Sequence, residues 1–345
     1  MTSTDPADRA LLRHHGDVDA APGLVDFAVN VRLPRPPAWL RDRLAAALDD
    51  LGRYPTSTAA AREAVAARHG RRPDEVLVLN GAAEGFALLP VLRPRLAAVV
   101  HPSFTEPEVA LRDADVPVHR VHLSAADGYR LRPDAVPDEA DLVVLGNPTN
   151  PTSVLHPREV VAALARPGRV LVVDEAFADT VPGEPESLAG ADLPGLLVLR
   201  SLTKTWGLAG LRAGYALGAT DLLARLDLHR PQWPVGALVL EAVEACCAPA
   251  AVAEAVRWAA ESVAHTRAAY EALGEFAVVE PCAPFVLLRV PHGERVRISL
   301  RDKGIAVRRG DTFPGLTADH LRVAVRGPAE NALFVDALRV VLEEL

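Results

Sequence analysis

Lysine is almost missing from this chain. Of its 345 residues, 37 are lysine or arginine, and two of those, Lys204 and Lys303, are lysines. An arginine guanidinium does not lose its proton at accessible pH or condense with an aldehyde, whereas a lysine amine can do both. The scarcity therefore confines amine chemistry to two positions. Lys303, in Asp302-Lys303-Gly304, reads as the solvated end of a helix. Lys204, in Ser201-Leu202-Thr203-Lys204-Thr205-Trp206, stands between a strand-like run and a glycine-rich segment, and is either a leftover surface lysine or a reactive one.

Other shortages exclude whole classes. Three unevenly spaced cysteines are too few for a disulfide framework, and Cys246-Cys247 fall in an alanine-rich helical pattern as buried free thiols. No apolar stretch is long and charge-free enough to span a bilayer. The best candidate, residues 235–256, is interrupted by Glu241, Glu244 and Glu254. The opening Met1-Thr2-Ser3-Thr4-Asp5 lacks the basic-then-apolar order of a secretory signal, so the expected location is the cytoplasm. The net charge of -8, with arginines scattered among acids, argues against a duplex nucleic-acid surface. Half the residues are hydrophobic and 24% are charged, as in an ordinary soluble enzyme.

The length predicts two structural domains. After about 45 residues rich in Pro, Arg and Asp, with one apolar run over residues 25–31, a helical spacing covers 59–69. Short apolar runs at 76–79, 97–100, 142–145, 170–173 and 196–199 then alternate with helical patterns at 82–92, 106–114 and 158–165. That alternation predicts an α/β fold with a mostly parallel central sheet sandwiched by helices. Past a break near Pro231–Pro234 the pattern changes to a long helical stretch (236–273), strands at 285–290, 305–308 and 321–325, and helices near 294–302 and 329–345. This predicts a smaller α+β domain, with residues 46–234 as the large domain and 1–45 plus 235–345 as the small one.

Polar residues gather at the ends of the strands, where ligands bind in such sheets. Asn80-Gly81-Ala82-Ala83-Glu84 could hold a phosphate on its free amides, or be a plain strand-to-helix turn. Gly146-Asn147-Pro148-Thr149-Asn150-Pro151-Thr152 could aim an amide at a ligand, or be a rigid structural turn. Asp174 ends an apolar strand, where a carboxylate needs a cation or a metal; no second His or Asp lies at ligand spacing to favour the metal. Arg212, among Gly207, Gly210 and Gly214, suits a pair of phosphate oxygens. Lysine, carboxylate, amide, helix start and arginine together describe an aldehyde-bearing pyridine ring with a phosphate arm.

In order and wording these motifs resemble the class I/II, fold-type I pyridoxal-phosphate enzymes over nearly the whole chain. Within them, the sequence is similar to the threonine-phosphate decarboxylase and histidinol-phosphate aminotransferase group, including actinobacterial cobalamin-pathway members. The resemblance rests on Val173-Asp174-Glu175-Ala176-Phe177, the Asn150-Pro151-Thr152 turn, and Ser201-Leu202-Thr203-Lys204 followed by Gly210-Leu211-Arg212. It implies pyridoxal 5'-phosphate as cofactor and a homodimer with sites at the interface. Lys204 then becomes the Schiff-base lysine, Asp174 the partner of the ring nitrogen, and Asn150 the donor to the phenolic oxygen. Ser201, Thr203, Arg212 and the Ala82 and Ala83 amides would hold the phosphate. Phe104 would stack on the ring, and Tyr54 would reach the phosphate of the other subunit. Arg322 would bind substrate, with Arg308, Arg32 and Asn30 nearby, which suits a small anionic, phosphorylated amino acid.

His14-His15-Gly16-Asp17 and Asp26-Phe27-Ala28-Val29-Asn30 resemble the start of threonine-phosphate decarboxylases, and Phe177 replaces the tyrosine usual in histidinol-phosphate aminotransferases. The resemblance thus implies decarboxylation of threonine phosphate ahead of transamination of histidinol phosphate, with recruited β- or γ-substitution chemistry third. Ser153, Arg32 and Gly236 depart from the family's usual residues on the substrate side.

Overall fold

The computed structural model describes residues 6–345; the opening Met1–Asp5, read above for a secretory pattern, lies outside them. Seven strands form the main sheet: β2 (Val76–Leu79), β3 (Ala97–His101), β4 (Val118–His122), β5 (Leu142–Gly146), β6 (Val170–Asp174), β7 (Leu196–Ser201) and β8 (Gly214–Gly218), in the order β2-β8-β7-β6-β5-β3-β4. Five of them pair in parallel, and β8 runs antiparallel to both β2 and β7. Alternate residues supply separate cores on the two faces. Ala98, Val143, Leu171 and Val198 face one side, while Val99, Val144, Val172 and Leu197 face the other. Continuous apolar strands arise because both faces are covered. This is the α/β architecture expected from the sequence.

Differences from expectation have local causes. Residues 89–92 tighten into a 3-10 turn after the helix Ala82–Leu88, where Pro90 has no N–H to give. The stretch 236–273 is two helices, Ala237–Cys247 and Pro249–Leu273, separated at Ala248 with Pro249 opening the second. The sequence pattern does not mark β4, which reads Val-His-Arg-Val-His on a sheet edge, or β8, which glycines bound.

The remaining strands form smaller sheets. β9 (Phe285–Arg289), β11 (Arg308–Arg309) and β12 (His320–Ala324) form an antiparallel set in the order β11-β12-β9. β1 (Val25–Asp26) pairs in parallel with β10 (Ile305–Ala306), so the N-terminal segment joins C-terminal structure. The expected single strand at 305–308 is thus two short ones, separated at Val307 and serving different sheets. Among the described residues, no helix is long and apolar enough to cross a membrane.

The pairing puts the C-terminal ends of β2, β3, β5, β6 and β7 on one edge. Antiparallel β8 brings its first residue there, with Gly214 opposite both Leu79 and Ser201. A methyl group on Gly214 would lie 2.6 Å from Arg200 O and 2.9 Å from Ala82 N, both backbone atoms. Gly214→Ala should therefore destabilise the protein by about 1–3 kcal/mol through overpacking. Gly210→Ala, with open space around its site, is the control; equal denaturant midpoints for the two variants would contradict this packing.

Candidate active site

A cavity of about 450 Å³ opens at that edge. Twelve of the fourteen residues singled out from the sequence line it: Lys204, Asp174, Asn150, Phe104, Ser201, Thr203, Arg212, Ala82, Ala83, Asn30, Arg308 and Arg322. Arg32 lines a neighbouring cavity instead. Tyr54 is 70% exposed, stacks on Trp233 with ring centroids 4.2 Å apart, and lies outside the Lys204 cavity.

Asp174 is the last residue of β6, and its Oδ1 accepts from Ala176 N at 3.1 Å. Burial raises its pKa to about 6, against the opposing pull of that hydrogen bond and of Lys204. Lys204 sits in the single turn Thr203–Trp206 after β7, which Gly207 ends at φ 67°. Its amine lies 5.8 Å from the centre of the Phe177 ring. Burial, then Arg322 and Arg212, bring the Lys204 pKa down to about 8, with Asp174 pulling the other way. The cavity thus holds an amine far easier to deprotonate than an ordinary lysine.

The other end of the cavity is built for an anion. Ser201 Oγ accepts from Thr203 N at 3.3 Å, while Thr203 Oγ1 is buried without a partner. Gly81, at φ 76°, opens the helix Ala82–Leu88, and a methyl group on it would meet Arg212 Nη2 at 3.1 Å. Glycine thereby lets the guanidinium lie beside the first amides of that helix. Arg212 itself adopts φ 61°, a backbone region that costs a non-glycine residue energy. Phe104 lies between the His15 and Phe86 rings, at 5.2 and 6.0 Å.

On the opposite wall, Arg322 Nη1 donates to Asn150 Oδ1 at 2.8 Å and Nη2 to Ala28 O, leaving Nε buried and unpaired. Burial, then Arg308 and Arg326, lower its pKa to about 9. Arg308 is already engaged: it donates to His14 O at 2.5 Å, Thr312 Oγ1 at 2.7 Å and Asp19 Oδ2 at 3.4 Å. Both side-chain amide atoms of Asn30 are buried without partners.

Ser153, where the family usually has glycine, has φ 61° and is fully buried. Its Oγ donates to Ala283 O at 2.9 Å and accepts from Ala283 N at 2.8 Å, and its carbonyl accepts from Cys282 N. The turn carrying Asn150 is thereby fastened to the entry of β9, the strand beside the one that carries Arg322. Sequence reasoning also left His15 without a role. It lines the cavity and meets Glu106 Oε1 at 2.5 Å; the sole signal was its position in the quoted His-His-Gly-Asp opening.

A free amine, a carboxylate, an aromatic face, an unpaired hydroxyl and an arginine fit pyridoxal phosphate in chemical type. The comparisons agree. The family model for aminotransferase class I and II matches residues 23–338. A protein of Mycobacterium tuberculosis named histidinol-phosphate aminotransferase is 57% identical over 333 residues, covering 94% of this chain and 90% of that one. The threonine-phosphate decarboxylase of Salmonella typhimurium is 33% identical over 335 residues, covering 92% of this chain and 91% of that one. The crystal structure of the histidinol-phosphate aminotransferase from Clostridium acetobutylicum superposes with a TM-score of 0.84 at 23% identity, covering 92% of this chain and 99% of that one.

Removing the Ser153 hydroxyl should separate two effects. Ser153→Ala strands the buried Ala283 amide and keeps the left-handed backbone, costing about 1–3 kcal/mol in denaturant titrations. Ser153→Gly loses the same bonds but relieves the backbone, so it should be the more stable of the two variants. A Ser153→Ala protein as stable as the parent would contradict the fastening.

Proposed function

The chain belongs to the class I and II aminotransferase family, whose members are pyridoxal phosphate enzymes, and from that premise we propose that it transfers the amino group of a phosphorylated amine, histidinol phosphate first among candidates. At the coarser level it is a pyridoxal-phosphate-dependent enzyme of the histidinol-phosphate aminotransferase and threonine-phosphate decarboxylase group. The observation that carries the finer reading is the 57% identity to a relative bearing the aminotransferase name, against 33% for the decarboxylase. This reverses the order that the sequence motifs suggested. Phe177 and the His14-His15-Gly16-Asp17 opening keep threonine-phosphate decarboxylation as the second reading.

The cofactor supplies an aldehyde for the substrate amine and an electron-withdrawing ring that stabilises negative charge at the neighbouring carbon. Lys204 would hold it covalently and, once released, take and return a proton at that carbon. Asp174 would keep a proton on the ring nitrogen. Asn150 would contact the ring's oxygen, with Arg322 oriented by the same amide. Ser201, Thr203, Arg212 and the Ala82 and Ala83 amides would hold the phosphate, and Phe104 would cover one ring face. Arg322, with Asn30, would receive the substrate's anionic group. Arg308 would act by holding the segment around His14 over the cavity. Tyr54 would serve the site of a second copy in a homodimer, with residues 46–234 as the body that carries the cofactor.

Purified protein given 2-oxoglutarate with histidinol phosphate should form glutamate. Carbon dioxide release from threonine phosphate, with no glutamate from histidinol phosphate, would install the second reading. When pyridoxal phosphate is added to cofactor-free protein, the reacting species is the unprotonated amine. The rate at which visible absorbance grows should therefore rise with pH and level off above about 8. A rate still climbing toward the roughly 10.4 of an ordinary lysine would contradict the shifted amine. Asp174→Asn should retain cofactor and lose about 100-fold or more in turnover, because the ring nitrogen loses its fixed counter-charge. Near-parent turnover would remove Asp174 from that role.

A further inference from the structure

Tyr54 lies in the segment 54–58, which is neither helix nor strand, and its side chain is exposed. Among the described residues its hydroxyl makes no hydrogen bond. What the side chain does meet is Trp233: the two rings stack with centroids 4.2 Å apart and planes 21° apart. An exposed tyrosine on a loop samples several staggered rotamers, and a flat ring against one face restricts that choice. The direction of the Tyr54 hydroxyl therefore depends on what holds Trp233.

Trp233 is held from both sides. After it, Pro234 O accepts from Asn80 Nδ2 at 2.9 Å. Before it, the buried Arg230 side chain donates from Nε to Glu84 Oε1 at 2.9 Å and from Nη2 to Val78 O at 3.0 Å. Asn80 N and Nδ2 in turn donate to Glu84 Oε2, at 2.6 and 3.1 Å. The mount of Trp233 is thus the strand-to-helix turn 80–84, whose Ala82 and Ala83 line the Lys204 cavity. Trp233 itself is exposed and has φ 52°, a left-handed backbone that is costly for a bulky residue. It belongs to none of the hydrophobic cores of the described residues, so core packing does not offset that cost. Among those residues, Tyr54 is its one ring contact.

We propose that Trp233 is a positioning residue: by stacking on Tyr54 it aims the tyrosine hydroxyl at the cofactor phosphate bound in a second copy of this chain. The inference rests on the homodimer reading above and adds to it the residue that sets the tyrosine in place. A side chain ordered before the two copies meet loses less freedom on contact, so the stack strengthens the hydroxyl's bond to the phosphate without touching the phosphate itself.

Equilibrium dialysis of the full chain against pyridoxal 5'-phosphate, and against pyridoxal, which has no phosphate, tests this. Trp233→Leu keeps apolar bulk but loses the flat ring. It should weaken pyridoxal phosphate about three- to tenfold, the worth of one aromatic stack, and leave pyridoxal unchanged. Trp233→Phe, which keeps a ring, should bind both as the parent does. Tyr54→Phe should also weaken pyridoxal phosphate, and adding Trp233→Leu to it should cost nothing more, because no hydroxyl remains to be aimed. The positioning role is overturned if Trp233→Leu binds pyridoxal phosphate like the parent, if it weakens pyridoxal equally, or if its effect persists in full beside Tyr54→Phe. A Trp233→Leu protein that sediments as a smaller species than the parent would likewise overturn it, since Trp233 would then hold the copies together. Parent-like affinity of Tyr54→Phe for pyridoxal phosphate would instead sink the proposed role of Tyr54 on which the inference rests.

Discussion

Desolvation of one lysine amine is the constraint around which the site is arranged. Placed at the carboxyl edge of the sheet, Lys204 is half-buried in the cavity wall and near two guanidinium groups, and both effects favour its neutral form. The same burial works in the opposite sense on Asp174, whose charge is the one local counterweight. An amine near pKa 8 facing a carboxyl near 6 is poised for reaction close to neutrality. Neither value follows from residue type; both require the strand ends to converge.

That convergence depends on backbone fastenings, many of them made by arginine. Arg326 donates to the carbonyls of Asp26, Val29 and Val31, and Arg322 to that of Ala28. Together they fix the N-terminal segment that forms one wall of the cavity. Far from the site, Arg169 spans the carbonyls of Ala140, Leu164 and Pro137. A planar guanidinium with five donors can serve several carbonyls at once, which a lysine ammonium does less rigidly. These contacts give the shortage of lysine a structural counterpart: arginine does the stapling, and one of the two lysines lies in the cavity.

Legibility in the sequence followed periodicity and motif. Buried central strands were readable because both faces are apolar, whereas edge strand β4 and glycine-bounded β8 carry no such run. β8 matters despite its weak signal, since its first glycine permits the close approach of the Arg200 and Ala82 backbone. Short-range motifs such as Asp174 at a strand end or Lys204 after one could be placed from local sequence. Long-range pairings could not. The Ser153–Ala283 bonds join residues 130 apart, and the Arg308–His14 bond joins residues 294 apart. For that reason the bonds of Arg308 to His14, Thr312 and Asp19 could not be read locally, nor could the place of Arg32, expected on the substrate side, in the neighbouring cavity that Lys204 also lines.

Choice of reaction lies in how the substrate's bonds are oriented against the ring, a matter of positioning rather than of electronics. All readings nevertheless share one requirement, a covalent bond between the cofactor and a single amine. Borohydride reduction of the holoenzyme followed by peptide mapping tests that directly. The expected result is one phosphopyridoxyl group per chain, on the peptide containing Lys204. A label on Lys303 or on the chain's terminal amine, or no label at all, would contradict it.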